Sequence, residues 1–213
     1  MRKAVLVKTY AQLPGYDRCE ILRYAGVRGE DDGQMQTLLD ECLAECDGVF
    51  QYRVCHIAMT RVEFFEIFPQ GKTAQSWTEN CENVVVFVAT IGLGIDRLIN
   101  RYASVSTTKA LLFQAIGAER IESLCDAFCK EFDGAGRRFS PGYGDFPLTE
   151  QTKFFALLNP SKHIGVSLTD SLLMSPTKSV TAVFGIKNSA CERENEEKRC
   201  HDCDKSDCVF RKD

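Results

Sequence analysis

Asn83-Val84-Val85-Val86-Phe87-Val88-Ala89-Thr90 is an unbroken run of β-formers between two polar ends. Branched and aromatic side chains at successive positions fit a strand covered on both faces, because a strand wet on one side alternates with polar residues. Ile91-Gly92-Leu93-Gly94 then turns the chain, and Asp96 to Tyr102 reads as a helix. Thr107 to Phe132 is the strongest helix. Leu111, Leu112, Ala115, Ile116, Ile121, Leu124, Cys125 and Phe128 give it a wide apolar face, and Gly134-Ala135-Gly136 ends it. Upstream, Met35, Leu38, Leu39, Cys42, Leu43 and Cys46 recur at helical spacing, predicting a helix over Gln34 to Cys46 with Gly48 past its end. Tyr52 to Phe68 reads as strand, closed by Pro69-Gln70-Gly71, and a short helix is expected around Thr73 to Asn80. Residues 1–30 read as a short extended segment, a turn at Leu13-Pro14-Gly15-Tyr16 and a lead-in. Downstream, Arg137 to Phe146 is an irregular Gly/Pro-rich loop. Thr149 can cap a helix to Leu158 that Asn159-Pro160 stops, and Ile164–Leu168 and Ser179–Ile186 read as strands. The pattern is that of one α+β domain over 1–188, with 1–83 as its lead-in part, followed by a small module at 189–213.

A chain of 213 residues, 44% hydrophobic and 26% charged, can bury a core without disulfide staples. Its net charge of -4 and the lack of a basic stripe argue against nucleic-acid binding. The longest apolar run, Val84 to Ile95, is shorter than the roughly 18 to 20 residues a membrane helix needs. The first residues, Met1 to Lys8, lack the pattern of a signal peptide, so a cytoplasmic protein is expected.

Eleven cysteines are many for a cytosolic chain, and their distribution is uneven. Cys42 and Cys46, and likewise Cys125 and Cys129, share apolar helical faces and read as core thiols. Cys191, Cys200, Cys203 and Cys208 have the spacing C-x8-C-x2-C-x4-C in a polar tail. Four thiolates with a C-x2-C core suit zinc or an iron–sulfur cluster, and a metal could be the tail's main source of order. A tail with unligated thiols is the plainer alternative, and His201 reads as solvated.

Arg138-Phe139-Ser140-Pro141-Gly142-Tyr143 holds a planar donor fork, a stiff tight turn and an aromatic ring. Arg138-x-x-x-Gly142-Tyr143 resembles the S-adenosylmethionine-binding R-x-x-x-G-Y motif of the activation domain of cobalamin-dependent methionine synthase. Leu168-Thr169-Asp170-Ser171, Met174-Ser175-Pro176 and Ser179-Val180-Thr181-Ala182 are similar to that domain's L-T-E-S and W-P-G-A-S-V-S-G stretch at similar spacing. The resemblance spans about Val84 to Ile186. It implies a mainly antiparallel sheet flanked by helices, with the Cys-rich tail appended. It also implies that Arg138 binds the S-adenosylmethionine carboxylate, that Ser140, Pro141 and Gly142 shape the loop for backbone access, and that Tyr143 packs nearby. The family's acidic residue at the ribose matches Glu122. A second acidic residue has no clear equivalent, since Phe132 and Asp133 fall in its place, and Gly144-Asp145-Phe146-Pro147-Leu148 departs from the family's P-A-C-P-D-H.

The implied role is that of a stand-alone reactivation module. It would support reductive methylation of cob(II)alamin to methylcobalamin on a separate methionine synthase or other corrinoid protein. The partner supplies the cobalamin, and a donor such as flavodoxin or ferredoxin supplies an electron. None of His56, His163 or His201 lies in a D-x-H-x-x-G cobalamin-ligand motif. Such chemistry rests on positioning, so no catalytic residue is assigned, and His163 reads as structural. Two other functions stand beside this one. One is a redox or metal-binding interaction protein that keeps the fold without S-adenosylmethionine; the other is an independent methyltransferase with a small acceptor. Thr90-Ile91-Gly92-Leu93-Gly94-Ile95-Asp96-Arg97 has two glycines of a dinucleotide-binding turn but Arg97 in place of the third, and reads as a plain strand-to-helix turn.

Overall fold

The structure, a computed structural model, describes residues 4–27, 33–69, 78 and 80–187. The apolar run is its central strand. β1 (Leu6–Tyr10), β2 (Tyr52–Thr60), β3 (Cys81–Thr90) and β6 (Ser179–Lys187) form a sheet in the order β1-β2-β3-β6, antiparallel throughout. On β3, Val85, Phe87 and Ala89 enter one core and Val84, Val86 and Val88 the other, all fully buried. Period-two alternation splits the run between two faces, and each face has its own cover. The α+β fold with an antiparallel sheet and flanking helices is as the sequence implied.

The first face is covered by α1 (Arg18–Tyr24), α2 (Gln34–Glu45), α4 (Gly94–Tyr102) and α5 (Thr107–Cys129). Along α5, Leu112, Ile116, Leu124 and Phe128 are buried, and Phe128 meets Phe87 at 5.0 Å between ring centres. The buried Arg120 of α5 donates to the carbonyls of Pro14 (2.7 Å) and Gly15 (3.1 Å), tying the turn before α1 to this helix. The second face is covered by α3 (Arg61–Ile67), α6 (Gln151–Leu158) and α7 (Pro160–Ile164), where Phe64, Phe68, Phe146 and Phe154 cluster. β4 (Ser167–Leu168) and β5 (Met174–Ser175) form a separate small hairpin.

Several local expectations need correction. The strand expected over Tyr52–Phe68 ends at Thr60, and α3 follows at once. The cause is a capping box: the Thr60 hydroxyl accepts from the Glu63 N–H, and the Glu63 carboxylate accepts from the Thr60 N–H at 2.7 Å. The lead-in contains a helix, α1, capped by Asp17, whose side chain accepts from the Glu20 N–H at 3.0 Å. Thr149 caps nothing; it lies inside a 3-10 turn (Leu148–Glu150) that runs directly into α6. The strand expected from Ile164 is confined to Ser167–Leu168, because Ile164 completes α7. Most of the helix expected at Thr73–Asn80, and the tail with Cys191, Cys200, Cys203 and Cys208, lie outside the described residues.

Candidate functional site

The loop after α5 is held by the sheet. Gly134, at φ +75, reverses the chain, and a Cβ there would lie 2.4 Å from the Lys187 carbonyl oxygen, so only glycine fits. From this point residues 134–139 run antiparallel along β6. Lys187 N–H donates to Gly134 (2.9 Å), Gly136 N–H to Gly185 (2.8 Å), and Phe139 and Val183 exchange both of their bonds at 2.8 Å. The loop expected to be irregular thus lines the outer edge of the sheet.

Alternation along this edge sends neighbouring side chains to opposite faces. Phe139 enters the second-face cluster and stacks on Phe146 at 5.6 Å. Arg138 reaches the last turns of α5. Its Nη2 donates to Glu122 Oε2 at 2.7 Å, and its Nη1 pairs with Asp126. The Arg138 side chain is 21% exposed, against 49% for Glu122 and 56% for Asp126, so the pairs sit at the surface with the cation innermost. Burial opposes the guanidinium charge, but the Asp126 and Glu122 carboxylates outweigh it and push its pKa up. Beneath it, burial pushes the Cys125 thiol well up and the Cys129 thiol to about 11. Both are neutral core thiols, as their helical spacing indicated.

The loop then tightens. Gly142, at φ +92, donates its N–H to the Phe146 carbonyl at 2.8 Å, and Ser140 O accepts from Tyr143 N–H at 3.3 Å. Pro141 is buried, Ser140 is half-buried, and Tyr143 stands 69% exposed beside the turn. The structure therefore brings Arg138 and Glu122 together and places Ser140, Pro141, Gly142 and Tyr143 on one turn next to them. The sequence reading missed Asp126, whose place one turn after Glu122 on the same helical face was the available signal. Phe132 packs against Phe184 at 5.3 Å, while Asp133 is exposed and forms no part of this cluster.

Arg138, Glu122 and Asp126 carry a net charge of -1 and offer both a carboxylate-binding fork and two acceptors for a cation. Such a set can recognise a zwitterion with an additional positive charge. It lacks the nucleophile and base pairing of covalent or acid–base catalysis. Among the described residues, no group of three or more His, Cys, Asp or Glu side chains is placed to hold a metal, and no helix is long and apolar enough to cross a membrane.

Residues 126–192 match the family described as vitamin B12 dependent methionine synthase, activation domain, a span that begins in α5 and takes in the Arg138 loop and β6. No curated protein matches the chain by sequence. Among solved structures, the fold is similar to that of the MetH reactivation domain bound to AdoHcy. That match has a TM-score of 0.57 and 16% identity over 90% of this chain and 81% of that one. The comparisons thus show a family match over residues 126–192, the segment that carries the candidate site, and a fold shared with that reactivation domain over nearly the whole chain.

Proposed function

We propose that this chain binds S-adenosylmethionine at the Arg138 loop. It would act as a reactivation module that supports reductive methylation of cob(II)alamin to methylcobalamin. The observation that carries the reading is the pairing of Arg138 with Glu122 and Asp126 on an edge segment inside the family-matched span. The fit is chemical. S-adenosylmethionine carries a carboxylate, an ammonium and a sulfonium, a net charge of +1 against the cluster's -1. Free N–H donors of Arg138 would take the carboxylate, Glu122 would reach the ribose, and Asp126 would face the cationic groups. When bound, the ligand supplies an electrophilic methyl group. The chain's own part is to hold and orient it. Gly142 keeps the backbone of the turn open, and the exposed Tyr143 ring is available to cover a bound nucleoside.

The reading extends to partners. The cobalamin belongs to a separate cytoplasmic methionine synthase or corrinoid protein, and an electron donor of flavodoxin or ferredoxin type completes the system. The tail cysteines Cys191, Cys200, Cys203 and Cys208 are assigned, on spacing alone, to zinc or an iron–sulfur cluster. Iron and zinc analysis of anaerobically purified protein tests that assignment, and substoichiometric levels of both metals overturn it.

Calorimetric titration of S-adenosylmethionine tests the site. The parent protein is expected to bind, and Arg138→Ala to weaken binding by about 2 kcal/mol, roughly thirtyfold. No binding by the parent rejects the reading in favour of a module that keeps the fold without the ligand, and equal affinity in the variant rejects Arg138 as its site.

A further inference from the structure

The far end of the sheet holds a second feature that the Arg138 loop does not use. A cavity of about 580 Å³ opens where β2 begins, β3 ends and α4 begins. Three arginines line it. Arg97 and Arg101, four residues apart, stand on one face of α4. Arg53 comes from β2, paired in register with Thr90 at the end of β3. No Asp or Glu lines the cavity, and none of the three arginines has an ion pair among the described residues. Arg18, Arg23, Arg120 and Arg138 are each paired with a carboxylate. The acid nearest on α4, Asp96, is occupied by the Thr177 N–H at 2.9 Å and by the Thr177 hydroxyl.

Arg97 and Arg101 are exposed and Arg53 is half-buried, so all three guanidinium groups meet solvent at the rim of the hollow, and an anion seated there would be drawn by all three. The turn adds donors of its own. Leu93, at the N-cap of α4, provides no side-chain acceptor, so the first N–H groups of that helix lack a cap beside Gly94 on the cavity wall. The cavity is larger than one phosphate requires and within the range of small-molecule sites. It is also separate from the first site. Arg138 adjoins Phe139, which pairs with Val183, four residues along β6 from the Ser179 end, about 13 Å.

We propose that this cavity binds a small phosphate-bearing anion of at least two negative charges, with Arg53, Arg97 and Arg101 as its ligands. The Gly92-Leu93-Gly94 turn, which lacks the third glycine of a dinucleotide fingerprint, is thus part of an anion site built on arginine. The proposal is independent of S-adenosylmethionine binding.

Calorimetry with pyrophosphate and with ADP, in metal-free buffer on the full chain, tests it. Pyrophosphate is expected to bind the parent, to bind Arg97→Gln at least about tenfold more weakly, and not to bind the Arg53→Gln/Arg97→Gln/Arg101→Gln variant. That variant should melt close to the parent temperature, since Arg97 and Arg101 are exposed and none of the three arginines holds an ion pair among the described residues, which separates lost binding from lost folding. Arg138→Ala should bind pyrophosphate as the parent does. ADP binding more tightly than pyrophosphate assigns a nucleoside to the remaining volume; equal affinity assigns the phosphate group alone. No heat with either ligand, unchanged affinity in the triple variant, or loss of binding in Arg138→Ala overturns the proposal.

Discussion

Gly94 opens α4 at the rim of the arginine-lined cavity, and replacing it by alanine adds one methyl group where there is no room. The new Cβ would lie 2.2 Å from the Val49 carbonyl oxygen, 2.7 Å from Val49 Cγ1 and 3.1 Å from the Val49 carbonyl carbon. A carbon and an oxygen in contact stay about 3.3 Å apart, so backbone must yield by about 1 Å. Neither side moves freely. Val49 N–H is bonded to Cys46 O at 3.2 Å, and two residues on Gln51 N–H is bonded to Ile91 O at 3.0 Å. Ile95, the next residue of α4, is fully buried. Overpacking of this kind costs about 1–3 kcal/mol, near the top of the range where backbone is the obstacle. Alanine's helix preference returns less than about 1 kcal/mol at a first helical position. The net loss is about 2 kcal/mol, which for a domain of this size lowers Tm by roughly 4–8 °C. Near-ultraviolet circular dichroism during heating, with a urea titration alongside, measures it. Gly15→Ala is the control: no heavy atom lies within 4 Å of its Cβ position and its φ is not positive, so a change within about 0.5 kcal/mol is expected. A Gly94→Ala protein melting at or above the parent would show that the close approach to Val49 does not hold in solution.

Three further outcomes follow from the packing. Thr60→Ala removes the capping box of α3 and should lower urea stability by about 1 kcal/mol, and an unchanged midpoint would contradict the cap. The His56 imidazole is held below its usual 6.5 by burial, with Glu131 pulling it up and Lys8 pushing it down, and its Nδ1 has no hydrogen-bond partner among the described residues. The unfolded chain therefore takes up a proton near pH 6.5 that the folded chain resists, so stability is lost as pH falls below that value. His56→Leu should flatten the fall in urea stability between about pH 7 and 5, and parallel curves for the two proteins would contradict this origin. Among the described cysteines Cys19 is exposed, while burial pushes Cys46 and Cys55 to about 12 and Cys125 well above its usual value. Alkylation of the native protein followed by mass spectrometry should label Cys19 before the other described cysteines, and Cys125 reacting at the same rate would disprove the buried placement.

The elements that were legible carry their own periodicity. β3, α2 and α5 each repeat an apolar pattern long enough to fix both type and face. The segment 61–67 reads as strand because Val62, Phe64, Phe65 and Ile67 are β-formers, yet the two-residue signal Thr60-x-x-Glu63 starts a helix there. The short helix α1 was missed because seven residues hardly establish a period, although Asp17 was a visible cap. At the candidate site, the family resemblance implies that Arg138 and Glu122 serve one ligand at its carboxylate and its ribose, but not that they pair directly. The part played by Asp126 and the zipping of residues 134–139 onto β6 could not be anticipated, since the latter joins backbone groups about fifty residues apart that no side-chain pattern advertises. The arginine cavity was hidden for a similar reason: Arg53 lies about forty residues from Arg97 and meets it only once β2 and β3 are paired.

The edge segment that carries Arg138 also imposes an order on assembly. Its partner, β6, has no place to lie until it pairs with β3, and that pairing spans a hundred residues of chain, as in Cys81 with Lys187. Long closures of this kind are entropically late steps in folding. Residues 134–139 can settle only after β6 has docked, so the guanidinium reaches its working position at the end of the process. A chain stalled without β6 would keep α5 and its carboxylates but present Arg138 on an unanchored strand. The ligand capture proposed for this loop would thereby be restricted to molecules that have finished folding.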